Sequence, residues 1–256
     1  MPLFARPDGC HLYLETHGDP ADPPLLLLEG MGGDIPGWRR NIPSLATACL
    51  VIAYDHRGNG QSDDPPGPVT MATFVDDALA VLDHVAVGRA HLYGQSFGGM
   101  VAIETALTHP DRVRSLILAA THAGPTHAVA VGDRRVPKGE PWRALYAPGF
   151  PDDHPDHVAD DLATAARGVQ HEHGERRQWE AMQGWDAFDR LEQVPVPTLV
   201  LHGTEDRLVA PENAMALAER IPGAELQLLT GAGHLYHSEQ APATDAAVLD
   251  FLRRHP

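Results

Sequence analysis

Along the chain, short apolar runs alternate with longer segments whose apolar residues recur at helical spacing. Leu25-Leu26-Leu27-Leu28, Leu50-Val51-Ile52-Ala53-Tyr54, Val113 to Ala120 and Thr198-Leu199-Val200-Leu201 are dominated by apolar side chains. Such runs predict strands buried on both faces of a parallel sheet. Between them, Phe74, Ala78, Val81, Leu82 and Val85 share one stripe behind Thr70, which predicts an N-capped helix reaching about Val85. Further helices are predicted from Trp38 to Ala48, from Phe97 to Thr108 before Pro110, from Glu212 to Arg220 and from Pro242 to Arg254. Cys10 to Glu15 alternates as an edge strand, and Glu225 to Leu229 ends the strand series. Repeated alternation of strand and helix places the chain in the α/β class, a mostly parallel sheet with helices on both faces.

The rhythm breaks between Thr121 and about Glu192. This stretch is rich in His, Asp, Arg and Pro, carries Trp142, Trp179 and Trp185, and contains no convincing buried strand. It reads as a helical cap over residues 122–192, inserted into a core domain formed by 1–121 and 193–256.

With 256 residues, 43% of them hydrophobic, the chain is long enough for one α/β domain carrying such an insertion. The net charge of −16 lacks the basic face that phosphate binding needs, so neither nucleic acid nor an anionic membrane surface is an expected partner. Cys10 and Cys49 do not form a disulfide framework and read as small core residues in a reducing compartment. The first residues lack a basic start followed by an apolar stretch, and no run approaches the ~18 apolar residues of a membrane span. A cytoplasmic location is the expectation.

The chemistry converges on one short stretch. A strand ends in Gly94, a helix begins after Ser96, and the link Gly94-Gln95-Ser96-Phe97-Gly98 has the pattern G-x-S-x-G. A serine in so sharp a strand-to-helix turn is exposed at the strand's end, and flanking glycines relieve the crowding. Its hydroxyl needs a base, and the base needs an orienting carboxylate. The loop after Thr198–Leu201 offers Glu205 and Asp206, and the loop after the last strand offers His234. Ser96, Asp206 and His234 therefore follow three strands and should meet at one sheet edge, with Glu205 as the substitute acid. Two backbone donors are wanted for a developing oxyanion: Phe97, directly after the serine, and Met31, in the loop Glu29-Gly30-Met31-Gly32-Gly33-Asp34.

These motifs together resemble the small, capped α/β-hydrolases that include 3-oxoadipate enol-lactonases, cofactor-free haloperoxidases and polyketide methyl-esterases. The elbow, the loop Asp55-His56-Arg57-Gly58-Asn59-Gly60-Gln61-Ser62, the acid loop Gly203-Thr204-Glu205-Asp206 and the histidine loop Gly231-Ala232-Gly233-His234 all carry the likeness, which spans nearly the whole chain. The resemblance implies a serine hydrolase without cofactor. It departs at Glu29-Gly30, where the family usually has His-Gly; Glu29 is either a tolerated substitution or a buried acid of raised pKa.

The expectation is thus an enzyme that cleaves a carboxylic ester, lactone or thioester through an acyl-enzyme on Ser96. A C–C bond hydrolase, an acyltransferase or perhydrolase, and a slow ligand sensor are alternatives on the same triad. Trp142, Trp179, Met182 and Trp185 are the candidate substrate contacts from the cap, implying a small-molecule substrate with an apolar or aromatic part. No metal is expected: His122, His127, His154, His157, His171 and His173 show no ligand spacing and read as solvated cap residues.

Overall fold

The computed structural model describes residues 2–131, 139–169 and 171–256. Its eight strands are β1 (Leu3–Ala5), β2 (His11–His17), β3 (Pro24–Leu28), β4 (Leu50–Tyr54), β5 (Ala90–Gln95), β6 (Val113–Ala119), β7 (Thr198–Gly203) and β8 (Glu225–Leu229). They form one sheet in the order β1-β2-β4-β3-β5-β6-β7-β8, in which β1 and β2 are antiparallel to their neighbours and the remaining pairs are parallel. The four continuous apolar runs occupy central positions and are buried on both faces, as a sheet covered by helices requires.

Nine α-helices connect and cover the sheet: α1 (Ile42–Leu45), α2 (Met71–His84), α3 (Phe97–Thr108), α4 (Phe150–Asp153), α5 (Pro155–Ala165), α6 (Gly174–Gln183), α7 (Glu212–Arg220), α8 (Tyr236–Glu239) and α9 (Ala241–Arg254), counted among the described residues. One core layer packs Leu26, Leu28, Leu92 and Leu118 under α2 and α3. The opposite layer packs Leu25, Leu27, Tyr93 and Ile117 under α1 and α9. Successive residues of β3 and β5 thus feed alternate layers, the two-sided burial that a period of two imposes.

Two parts of the chain differ from the sequence reading. The helix expected over 38–48 is a 3₁₀ turn at Ile35–Trp38 followed by the short α1. Pro43 lacks the N–H that a continuous helix through this segment would use, so the helix restarts there. The first long strand runs two residues further than Glu15, and the three-residue β1 precedes it. The segment between β6 and β7 contains α4, α5 and α6 and no strand among its described residues. Within the cap expected over 122–192, residues 132–138 and 170 lie outside the described residues.

Candidate active site

The turn from β5 into α3 brings backbone against backbone. Ser96 sits between them at φ 51° and ψ −114°, a conformation that costs a residue with a side chain of order 1–3 kcal/mol. Neighbouring residues hold it there: its N–H donates to Ala119 O at 2.7 Å, and Thr121 Oγ1 donates to Ser96 O at 2.7 Å. A Cβ on Gly98 would lie 2.0 Å from Leu28 O, and one on Gly94 would lie 2.3 Å from Gly98 O. Both obstacles are main chain and cannot swing aside. The glycines of the G-x-S-x-G pattern are thus fixed by close approach, and the serine is left partly exposed at the mouth of the turn.

Asp206 and His234 come from the loops after β7 and β8. His234 Nδ1 lies 2.8 Å from Asp206 Oδ2; an ionised carboxylate only accepts, so Nδ1 carries the proton and Nε2 is left as the acceptor. Asp206 is fully buried and Glu205 exposed, which removes Glu205 from the position of the acid. Asp206 Oδ1 receives the N–H groups of Leu208 and Val209 at 2.8 and 2.9 Å. Burial works against the charged form, but the charge of His234 and hydrogen bonds from His202 and His234 outweigh it. The carboxyl is held well below the usual range. The histidine loop is braced in turn by half-buried Glu239, which accepts from Gly233 N at 3.1 Å and from Ala147 N at 2.9 Å.

Ser96 and His234 line the same cavity, of about 900 Å3. Met31 and Phe97 also line it. The loop carrying Met31 is tied at three points. His56 Nε2 donates to Glu29 O at 3.2 Å, Asn59 Nδ2 to Gly33 O at 2.6 Å, and Gly32 N–H to Gln178 Oε1 at 2.9 Å. Burial lowers the pKa of His56 to about 4, so it is neutral, with its proton on the nitrogen that faces the carbonyl. Glu29 also lines the cavity and is almost fully buried, with Oε2 lacking any partner among the described residues. Burial pushes its carboxyl up to about 8, opposed in part by the Gly30 N–H and reinforced by Asp34 and Asp55.

The cap residues divide. Trp179 and Met182 on α6 line the cavity. Trp142 and Trp185 are not among its lining residues, contrary to the sequence expectation. Trp185 instead donates Nε1 to Glu104 Oε2 on α3 at 2.8 Å, fastening cap to body, while Trp142 packs beside Arg143 and Tyr146. The cap histidines are less solvated than expected: His171 Nε2 donates to Gly60 O at 3.0 Å, His157 pairs with Ser238 Oγ at 2.9 Å, and His122 lines the cavity. Among the described residues, no group of three or more His, Cys, Asp or Glu side chains is arranged to hold a metal ion. No helix among them is long and apolar enough to cross a membrane.

Residues 23–172 match the family model described as "alpha/beta hydrolase fold", and residues 170–255 match one described as "TAP-like protein". The chain belongs to the α/β-hydrolase fold family. It is 31% identical over 257 residues to a protein of Variovorax paradoxus named "Putative carbamate hydrolase RutD", covering 95% of this chain and 96% of that one. It is also 31% identical to a 2-hydroxymuconate semialdehyde hydrolase of Pseudomonas sp., covering 92% of this chain and 89% of that one. Among solved structures, the enol-lactonase of Burkholderia xenovorans superposes with a TM-score of 0.86 at 26% identity, covering 98% of this chain and all of that one (100%). The protein is an α/β-hydrolase enzyme, and its relatives are named for the hydrolysis of different substrates.

His56, Asn59, His202 and Gln178 were not singled out as functional from sequence. His56 and Asn59 lie inside the loop after β4 that carries the family likeness, and His202 lies inside the stretch 197–206 that carries it around the acid. Gln178 carried no local signal, because its partner is 146 positions away.

Proposed function

We propose that the protein is a serine hydrolase acting on a carboxylic ester, lactone or thioester with an apolar acyl or alcohol part. The observation that carries this reading is the buried Asp206–His234 pair together with a serine held at positive φ, with His234 and Ser96 opening on one cavity. His234 Nε2 takes the Ser96 proton as Oγ attacks the carbonyl carbon. The carbonyl π pair moves onto oxygen, where the Met31 and Phe97 N–H groups receive it. Collapse expels the alcohol or thiol, which takes its proton from His234. Water, deprotonated by the same imidazole, attacks the acyl-enzyme and releases the acid.

The apolar preference is supported by the cap wall of the cavity, where Leu145, Leu162, Val169, Trp179 and Met182 stand. Arg39 also lines it, but its guanidinium is committed to Asp160 and Asp161 and offers little to a substrate carboxylate. The likeness to a 2-hydroxymuconate semialdehyde hydrolase and to proteins named for carbamate hydrolysis supports a second reading, cleavage of a C–C or carbamate bond with the same groups.

The test begins with intact mass after fluorophosphonate treatment. One adduct on the parent protein, absent from Ser96→Ala and greatly slowed in His234→Ala, is expected. Turnover is then compared across p-nitrophenyl esters, lactones, thioesters, an aryl carbamate and a vinylogous 1,5-diketone. Absence of an adduct on the folded parent overturns the serine mechanism. Turnover of only the carbamate or the diketone moves the second reading to first place.

A further inference from the structure

We infer that Gln178, a cap residue outside the triad, is a positioning residue that sets the oxyanion loop for catalysis. This rests on the serine-hydrolase reading above. Gln178 is fully buried on α6, and its Oε1 accepts the Gly32 N–H at 2.9 Å. Gly32 sits at φ 73° within a turn closed by the Gly33 N–H on Gly30 O at 3.2 Å. That turn contains Met31, whose N–H is to meet the oxyanion. The Gly32 and Gly33 N–H groups are both engaged, whereas the Met31 N–H has no hydrogen bond among the described residues. The Gln178 amide thus selects which N–H of the loop is left for the substrate. It also holds the Met31–Gly32 peptide in one orientation, since a flip of that peptide would turn the Gly32 N–H away from its acceptor.

The acceptor is itself held rigidly. The start of α6 packs so tightly on the loop after β4 that a Cβ on Gly174 would lie 1.8 Å from Gly58 O. Arg177 binds Asp64 and the Pro65 carbonyl, and His171 holds Gly60 O. Helix docking therefore does not depend on Gln178, and removing its amide releases the loop but not the helix. Catalytic geometry is strict enough that a displacement near 1 Å costs roughly a hundredfold in rate, and loss of an oxyanion donor costs about 10²–10³.

The test compares the parent with Gln178→Met, which keeps the length and removes the acceptor, and with Gln178→Asn, which keeps the amide but draws it back. Gln178→Glu retains an acceptor oxygen at the same reach. Glu104 accepts from Trp185 Nε1 and, at 2.7 Å, from Arg190 Nη2, so Glu104→Gln weakens these ties of cap to body without touching the loop. Two readouts are taken: kcat and KM on a p-nitrophenyl ester, and the inhibition constant of phenyl trifluoromethyl ketone. The ketone accepts Ser96 Oγ at its carbonyl carbon, passing the serine proton to His234 and placing an oxyanion in the loop. A positioning role predicts that in Gln178→Met and Gln178→Asn kcat and ketone affinity fall together by roughly tenfold to a hundredfold while KM moves less than about twofold. Gln178→Glu, assayed at the acid end of the activity range where a carboxyl buried there keeps its proton, stays within about threefold of the parent, and Glu104→Gln lowers the melting temperature without this paired loss. Unchanged kcat and ketone affinity in both Gln178→Met and Gln178→Asn overturn the inference, as does a loss confined to KM or one matched by Glu104→Gln. A parent that neither turns over the ester nor binds the ketone overturns the serine-hydrolase reading and this inference with it. The two failures are therefore distinguishable.

Discussion

His202 Nε2 lies 3.1 Å from Asp206 Oδ2, the same oxygen that receives the Nδ1–H of His234. The same His202 nitrogen also faces Val209 O at 2.9 Å. Both neighbours are acceptors, so Nε2 carries the proton, and the buried carboxylate is fixed by two imidazoles rather than one.

Removing the second imidazole should therefore raise the pKa of Asp206 toward the ordinary carboxylate range, because burial then meets less opposition. His202→Leu is expected to lower kcat/KM about tenfold near neutral pH and to move the acid limb of the pH–rate profile upward. His202→Gln, which keeps a donor, should lie closer to the parent. The check is kcat/KM on one ester across the acid limb; superimposable profiles for parent and His202→Leu would leave His202 a packing residue.

What the sequence made legible and what it hid divide along contact distance. The buried strands were readable because β3, β4, β6 and β7 carry runs of apolar residues whose meaning is local. The elbow was readable because glycine is the only residue that fits where Gly98 meets the Leu28 carbonyl, and this constraint leaves a mark on the sequence. The acid and base were found because each follows a strand, so topology alone gathers them at one edge. Cap side chains were not legible in this way. Whether Trp179 or Trp185 faces the cavity depends on how α6 and the turn after it dock, and the tie from Trp185 to Glu104 crosses 81 positions. Helix spacing tells which residues share a face but not which neighbour that face meets.

The strain at Ser96 yields a prediction in which stability and activity move in opposite directions. Ser96→Gly and Ser96→Ala both remove the nucleophile. Glycine alone relieves φ 51°, although it adds entropy to the unfolded chain. Ser96→Gly is expected to exceed Ser96→Ala by about 1 kcal/mol in unfolding free energy, with both inactive. Urea denaturation of the two variants decides it, and equal midpoints would mean the turn carries no relievable strain.

Trp179 lines the cavity while remaining 53% exposed, as a side chain at its rim would, and Trp142 lies off the cavity beside Arg143. Trp179→Ala should raise KM for aryl esters about fivefold, roughly the 1 kcal/mol expected for partial loss of apolar contact, and leave kcat for a short acyl ester nearly unchanged. Trp142→Ala should leave both constants within about twofold. Equal effects of the two substitutions would remove Trp179 from the substrate's path.

Glu29 gives the prediction with a definite sign in pH. Its carboxyl is raised by burial from the ordinary 4.5 to about 8 in the folded protein, so the folded state holds its proton where the unfolded chain has released it. Its contribution to stability is fully present below the unfolded value and is lost as pH rises through the folded one. The slope is at most about 1.4 kcal/mol per pH unit in that window. Glu29→Gln, neutral at every pH, should flatten this part of the stability curve, measured by denaturation at steps from about pH 5 to 9. Activity follows the same charge. Once ionised, Glu29 places a negative charge directly before the loop that must receive a second one on the substrate oxygen, so the parent's kcat should decline above about pH 8. Glu29→Gln should hold its kcat through that range. Parallel declines in the two proteins would assign the alkaline limb to another group and leave Glu29 a buried substitution without electrostatic effect on the reaction.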